Sequence, residues 1–203
     1  MASRKDSAYY AILNSIIDGT ITTQQLILEQ DCADTYGISK PAAREVLQRL
    51  CHENYLKSYP RKGYMVREIT PDECIQSQQV RYQLEAYCIR LLIKNGDPDE
   101  IRALYACTES DDSPADPMHP YLTNNTLFHL RLARLTGNRY LEEALQTYLD
   151  HASRCVVIFH YPAATQKDYT NYHARILDAI LQKDCETALA CLCEDLMVDP
   201  RDV

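Results

Sequence analysis

Between Gly37 and Val66 the chain reads GISKPAAREVLQRLCHENYLKSYPRKGYMV, and no other stretch restricts the fold as much. Ser39 is a good helix N-cap, and Pro41 falls in the first turn that follows, where a missing N–H costs little. Ala43, Val46, Leu47 and Leu50 recur at helical spacing and define one buried face. Two short strands, Tyr55 to Ser58 and Tyr64 to Ile69, are expected around a Pro-Arg-Lys-Gly turn. Upstream, Tyr9, Ile12, Leu13, Ile16 and Ile17 mark a first helix from Ser7 that Gly19 stops, and a short second helix covers about Leu28 to Tyr36. Three helices followed by a basic hairpin form a winged helix-turn-helix pattern.

At Thr70 the pattern changes. TPDE, Thr70 to Glu73, is a capping box with proline at the first helical position. Beyond it the expectation is helix almost throughout, over about 71–95, 98–109, 117–136, 138–160, 165–182 and 184–198, with breaks at NGDPD, DDSPADP, TGN, YPAA and QKD. The expected fold class is therefore mainly α. Residues 1–69 form a winged helix-turn-helix domain, and residues 70–203 an all-α antiparallel bundle of about six helices, large enough to enclose a pocket.

Charge separates along the same boundary. The formal net charge is −8, yet residues 1–70 hold nine Lys/Arg against eight Asp/Glu, while residues 71–203 hold twelve against twenty-one. A near-neutral N-terminal module can still bind phosphates when its cations share one face. No apolar stretch approaches the length of a membrane span, and the N-terminus MASRKDSAYY lacks the apolar centre of a signal peptide, so a cytoplasmic chain is expected. The nine cysteines are scattered and contain no C-x-x-C pair, which reads as reduced, mostly packed thiols.

On the third helix, Pro41, Arg44, Glu45 and Gln48 lie opposite the apolar face, with Lys40 on the flank. An N-terminal turn offering Ser39, Lys40 and Arg44 suits the major groove of double-stranded DNA, and an arginine can donate a fork to guanine. Arg61, Lys62 and Gly63 at the hairpin tip combine two cations with a residue lacking side-chain bulk, suited to close approach to a phosphate backbone or minor groove. These residues carry a resemblance. The segment is similar to the DNA-binding domain of GntR-type bacterial transcription regulators, whose G-[IV]-S-R-x-x-[LV]-R-E-[AV]-L-x-R-L run leads into a Gly-bearing wing. The resemblance implies a homodimer on a pseudo-palindromic operator, with contacts from Lys40, Arg44 and Arg49 and with Gly63 in the wing. Lys40 stands where that family usually has arginine; lysine holds a phosphate but lacks the bidentate fork.

The C-terminal part resembles the FCD effector domain of the FadR-like branch, in its shorter, VanR-like version. VRYQLEAYCIRLL, NTLFHLRLARLTGNRYL and HARILDAILQKDCETAL carry that likeness. Geometry adds to it. Asn125 and His129 are i,i+4 and share a helix face. His173 and Asp195 lie equally far from the turn at Lys183-Asp184, so an antiparallel hairpin sets them at one height. Four donors thus converge and suit a divalent metal (Zn, Ni or Mn), with positions open for a small carboxylate or sugar-acid effector. The family's usual ligands are Asp, His, His, His; here Asn125 replaces the aspartate and Asp195 the last histidine. His151 or His160 offers a further nitrogen. The alternative is that His129 and His173 are buried, hydrogen-bonded histidines in a metal-free pocket. Arg81 is either a clamp for an organic acid or the i,i+4 partner of Glu85. The reading is a ligand-responsive repressor rather than an enzyme. The competing classes are a metalloenzyme built on the same cluster, which would lack a separate general base, and a helical interaction protein.

Overall fold

The computed structural model describes residues 3–108, 124–159 and 166–201, and the chain divides into two compact units, Met1–Ile69 and Thr70–Val203. The first begins with α1, Arg4–Ile17, three residues earlier than its apolar pattern suggests. Ser3 and Asp6 explain the early start: each caps the other's backbone in a capping box. Helix α2, Glu29–Tyr36, ends on Gly37 with φ of 60°, a left-handed position that glycine occupies without strain. Ser39 then caps α3, Lys40–His52, by accepting from the Ala42 amide. Ala43, Val46, Leu47 and Leu50 are buried, packing α3 beneath α1 residues Tyr9, Ile12 and Leu13.

The wing is an antiparallel pair, β1 Leu56–Tyr59 and β2 Gly63–Val66, with Leu56 opposite Val66 and Tyr59 opposite Gly63. A third segment joins it. Ile27 and Tyr64 exchange both backbone hydrogen bonds, at 2.8 and 2.9 Å, so the loop before α2 serves as an extra strand. Gly63 is held in this contact at φ of +134°, and a Cβ there would stand 2.6 Å from the Ile27 carbonyl oxygen. The structure thus adds an internal role for this glycine. Its missing side chain makes room for Ile27 inside the domain, whatever the wing approaches outside.

In the second unit Thr70 and Glu73 form the expected capping box at the start of α4, Pro71–Asn95. There follow α5, Pro98–Ala103, which tightens into a 3-10 turn over Leu104–Cys107, then α6 Asn124–Leu135, α7 Arg139–Phe159, α8 Gln166–Leu181 and α9 Cys185–Leu196. The start of the helix expected over 117–136 lies outside the described residues. Helices α8 and α9 form a hairpin about Lys183, which takes a left-handed φ of 59°, and Asp184, which caps α9. Phe128, Leu132, Ile89, Ile176, Leu177, Ile180 and Leu192 fill the main core. A second cluster of Cys88, Leu130, Ala133, Leu141, Leu145 and Leu149 joins the later part of α4 to α6 and the first half of α7. No described helix is long and apolar enough to cross a membrane.

The cysteines require a correction. Seven are free thiols, five of them buried, but Cys74 on α4 and Cys155 on α7 are joined by a disulfide across 81 residues of sequence. Nothing local signals such a pair; it arises from the antiparallel packing of two long helices.

Candidate functional site

In the first unit, the exposed surface of α3 carries Lys40, Pro41, Arg44 and Gln48, and its first turn contains no acidic residue to oppose an incoming phosphate. Arg44 is held in place. Its Nε and Nη2 donate to the two carboxylate oxygens of Glu29 at 2.7 and 3.0 Å, and the Tyr64 hydroxyl donates to the same carboxylate at 3.3 Å. Hydrogen bonding and charge from Arg44 pull the Glu29 carboxyl below its ordinary value, keeping the pair ionised. One glutamate therefore ties α2, α3 and the wing strand β2 together beneath the most exposed arginine of α3. Arg61 and Lys62 are exposed at the wing tip, Arg61 in the left-handed region at φ of 63°.

Arg49 is placed differently. It lies five residues past Arg44, about 140° further round the helix. Its guanidinium sits 3.7 Å above the Tyr9 ring, its Nε donates to Glu53 at 2.9 Å, and the Tyr9 hydroxyl donates to the same glutamate at 2.6 Å. This arrangement braces α1 against α3, away from the face that Lys40 and Arg44 share.

In the second unit, α6, α8 and α9 bring Asn125, His129, His173 and Asp195 together. His129 Nε2 stands 3.1 Å from Asn125 Oδ1 and 3.3 Å from Asp195 Oδ2, and His173 Nε2 stands 3.5 Å from Asp195 Oδ1. Both histidines are 1% exposed and the Asp195 side chain 2%. The donor atoms of His129, His173 and Asp195 all lie within 4.8 Å of one another. His173 is stacked on Phe128, with ring centroids 3.8 Å apart, and meets His129 edge to face at 5.0 Å. Burial pushes the pKa of His173 down, which favours the neutral, lone-pair-bearing imidazole that metals bind.

Glu85 on α4, expected from sequence only as a partner for Arg81, completes the arrangement. Its Oε2 accepts from His129 Nδ1 at 2.6 Å while its Oε1 accepts from Arg81 Nε at 2.7 Å. Burial opposes ionisation, but the charges of His129 and Arg81 and the hydrogen bonds from both outweigh it and hold the Glu85 carboxyl down to about 2. With Nδ1–H committed to Glu85, His129 turns Nε2 toward two oxygens, Asn125 Oδ1 and Asp195 Oδ2. Acceptors facing acceptors at this range need a proton or a cation between them. Ligand atoms each about 2.1 Å from one ion lie roughly 3.0–3.4 Å apart; the spacings of 3.1, 3.3 and 3.5 Å are close to that size, and separations within the trio of up to 4.8 Å must close for one ion to reach all three. A carboxylate on the far nitrogen of a ligating histidine is the usual support for such a site.

The i,i+4 pairing of Arg81 with Glu85 is thus present, and Arg81 is buried. His151 lies elsewhere, its Nδ1 3.5 Å from Cys155 Sγ. His160 is outside the described residues. The signal for Glu85 was in the sequence, as the i,i+4 partner of Arg81; its second oxygen could be assigned only once α4 and α6 were packed together.

Comparison with known proteins agrees with both halves. Residues 4–66 match the bacterial regulatory proteins of the gntR family, and residues 76–196 match the FCD domain. The HTH-type transcriptional regulator McbR of Escherichia coli is 25% identical over 184 residues, 87% of this chain and 81% of its own. The HTH-type transcriptional repressor GlaR of the same organism is 22% identical over 200 residues, 93% of this chain and 90% of its own. The solved structure of E. coli McbR/YncC shares the fold, with a TM-score of 0.71 at 21% identity over 97% of this chain and 95% of that one. These relatives are regulators, not enzymes. With the winged unit matching one family and most of the helical unit matching the other, the chain belongs to the GntR family of bacterial regulatory proteins, as a ligand-responsive, DNA-binding transcription regulator with an FCD domain.

Proposed function

We propose that the protein is a cytoplasmic, homodimeric repressor that reads a pseudo-palindromic operator and answers to a small carboxylate or sugar acid held at a divalent metal. In this reading Ser39, Lys40, Pro41 and Arg44 enter the major groove. Glu29 pre-sets the Arg44 fork and must release it, wholly or in part, for a guanine. Arg61 and Lys62 take phosphate or minor-groove contacts at the wing. Arg49 supports the docking surface from behind.

The metal would be held by His129, His173, Asp195 and the Asn125 amide oxygen. Two imidazoles, one carboxylate and one amide suit zinc, nickel or manganese, and four ligands leave room for an effector carboxylate. Bound there, the ion supplies a fixed positive charge for an organic acid. Arg81, its Nε committed to Glu85, has further guanidinium N–H groups with which to add a second. An effector switches the protein only by binding two arrangements of it unequally.

The observation that carries this proposal is the convergence of the His129, His173 and Asp195 donors, with Glu85 orienting His129 from the far side. The test is elemental mass spectrometry on purified wild type and a His129→Ala/His173→Ala variant, with the operator obtained by selection from random duplexes. One equivalent of metal per chain in wild type and none in a folded variant are expected. Equal metal content in the two would refute the site.

A further inference from the structure

The two ends of the α4–α7 pair are held by different chemistry. Along the later part of α4, Cys88 packs with Leu141, Leu145 and Leu149 of α7 in an apolar cluster. At the other end, among the described residues, the helices are joined by a disulfide. Cys74 lies in the first turn of α4, Ser77 follows with its hydroxyl turned back to the Cys74 carbonyl at 2.8 Å, and α7 presents His151 and Cys155. The disulfide joins the helices at this end.

The surroundings also suit thiol chemistry. His151 Nδ1, 3.5 Å from Cys155 Sγ, is placed to accept a proton from the reduced thiol. The remaining seven cysteines are unpaired, so the pairing is selective. Both sulfurs are covered, Cys74 to 4% exposure and Cys155 to 5%. A small oxidant such as a peroxide reaches such a position far more readily than a protein thiol does.

We propose that Cys74 and Cys155 are a reversible redox site, a dithiol oxidised by peroxides and restored by low-molecular-weight dithiols. In the first step one thiolate attacks the peroxide, giving a sulfenic acid and, with hydrogen peroxide, one water. The second thiol then attacks that sulfur, forming the S–S bond and releasing a second water. Reduction runs by exchange: a small dithiol opens the bond through a mixed disulfide and leaves as its own cyclic disulfide, returning two protein thiols. Oxidation clasps the first turns of α4, immediately after the boundary at Thr70, to the second half of α7. This proposal does not depend on a metal or an effector.

The full chain, reduced with dithiothreitol and then treated briefly with equimolar hydrogen peroxide, is denatured, alkylated and weighed. All nine cysteines should alkylate before peroxide and seven after it, with one Cys74–Cys155 cross-linked peptide. Dithiothreitol added to the native protein should restore all nine. Amides of residues 72–81 should exchange hydrogen several-fold more slowly in the oxidised form. Cys74→Ser and Cys155→Ser should each give no cross-link at the surviving cysteine; the second variant serves where the first does not fold. Nine alkylated cysteines after peroxide, a cross-link scattered over other pairs, or reduction only after denaturation would overturn the proposal.

Discussion

Glu85 is the residue whose removal tests the helical site most sharply, because two buried partners depend on it at once. Its side chain is fully covered, Arg81 beside it is 8% exposed, and each carboxylate oxygen serves a different partner. Glu85→Ala leaves the Arg81 guanidinium buried without its counter-charge, and breaking a buried pair in this way costs about 3–5 kcal/mol. For a unit of this size roughly 3–5 °C of melting temperature goes with each kcal/mol, so a fall of about 10–20 °C is expected. Glu85→Gln keeps the shape and one acceptor oxygen. That oxygen can serve Arg81 or His129 but not both, so the loss of stability should be about half as large. Metal affinity should respond to either change, because His129 loses the acceptor that fixes its tautomer and ring orientation; about 10- to 100-fold weaker binding is expected. Calorimetry of the chelator-treated proteins measures the first effect, and zinc competition against a chelating dye the second. A Glu85→Gln protein that melts with wild type and binds zinc within twofold of it would refute the relay from Arg81 through Glu85 to His129.

Other perturbations separate the remaining parts. Gly63→Ala forces a Cβ to within 2.6 Å of the Ile27 carbonyl oxygen at a φ that side chains avoid; a loss of about 1–3 kcal/mol in urea unfolding of the N-terminal unit is expected, and an unchanged midpoint would contradict the packing role of this glycine. Arg44→Ala should weaken binding to the selected operator by roughly tenfold to a hundredfold while leaving binding to random duplex nearly intact, as read by fluorescence anisotropy. Lys62→Ala should weaken both alike and lower the salt slope by about one. Acid should destabilise the metal-free helical unit in two stages. His173, with a folded pKa below its ordinary 6.5, and Glu85, lowered from 4.5 to about 2, each bind fewer protons folded than unfolded. Their contributions are present at neutral pH; that of His173 declines as pH falls below 6.5, and that of Glu85 declines between 4.5 and about 2. A melting temperature that stays flat from pH 7 to pH 3 would contradict both shifts.

Much of this architecture was legible because it rests on local chemistry. The apolar period of α3, the proline and serine at its start, the left-handed glycine that ends α2 and the capping box at Thr70 all act within a few residues of themselves. Even the site hairpin was accessible, since the equal spacing of His173 and Asp195 about Lys183 needs only antiparallel geometry. What escaped depends on pairings between distant segments. Ile27 docking on Tyr64 gives Gly63 an inward contact, the Tyr9 ring packs against Arg49, and the packing of α4 on α7 joins Cys74 to Cys155. Glu85 lies between the two cases, its bond to Arg81 readable from spacing and its bond to His129 not. The start of α1 is equally local, because Ser3 and Asp6 stand at capping-box spacing.

The central claim is that occupancy of the His129/His173/Asp195 cluster changes how the winged unit holds DNA. It is tested most directly by the dissociation constant of the full-length protein for its selected operator, metal-loaded and chelator-stripped, at fixed salt, for wild type and His173→Ala. A shift of about 5- to 150-fold between the two states of wild type, absent from the variant, is the predicted result. Identical constants in both states of wild type, or the same shift in His173→Ala, would contradict it.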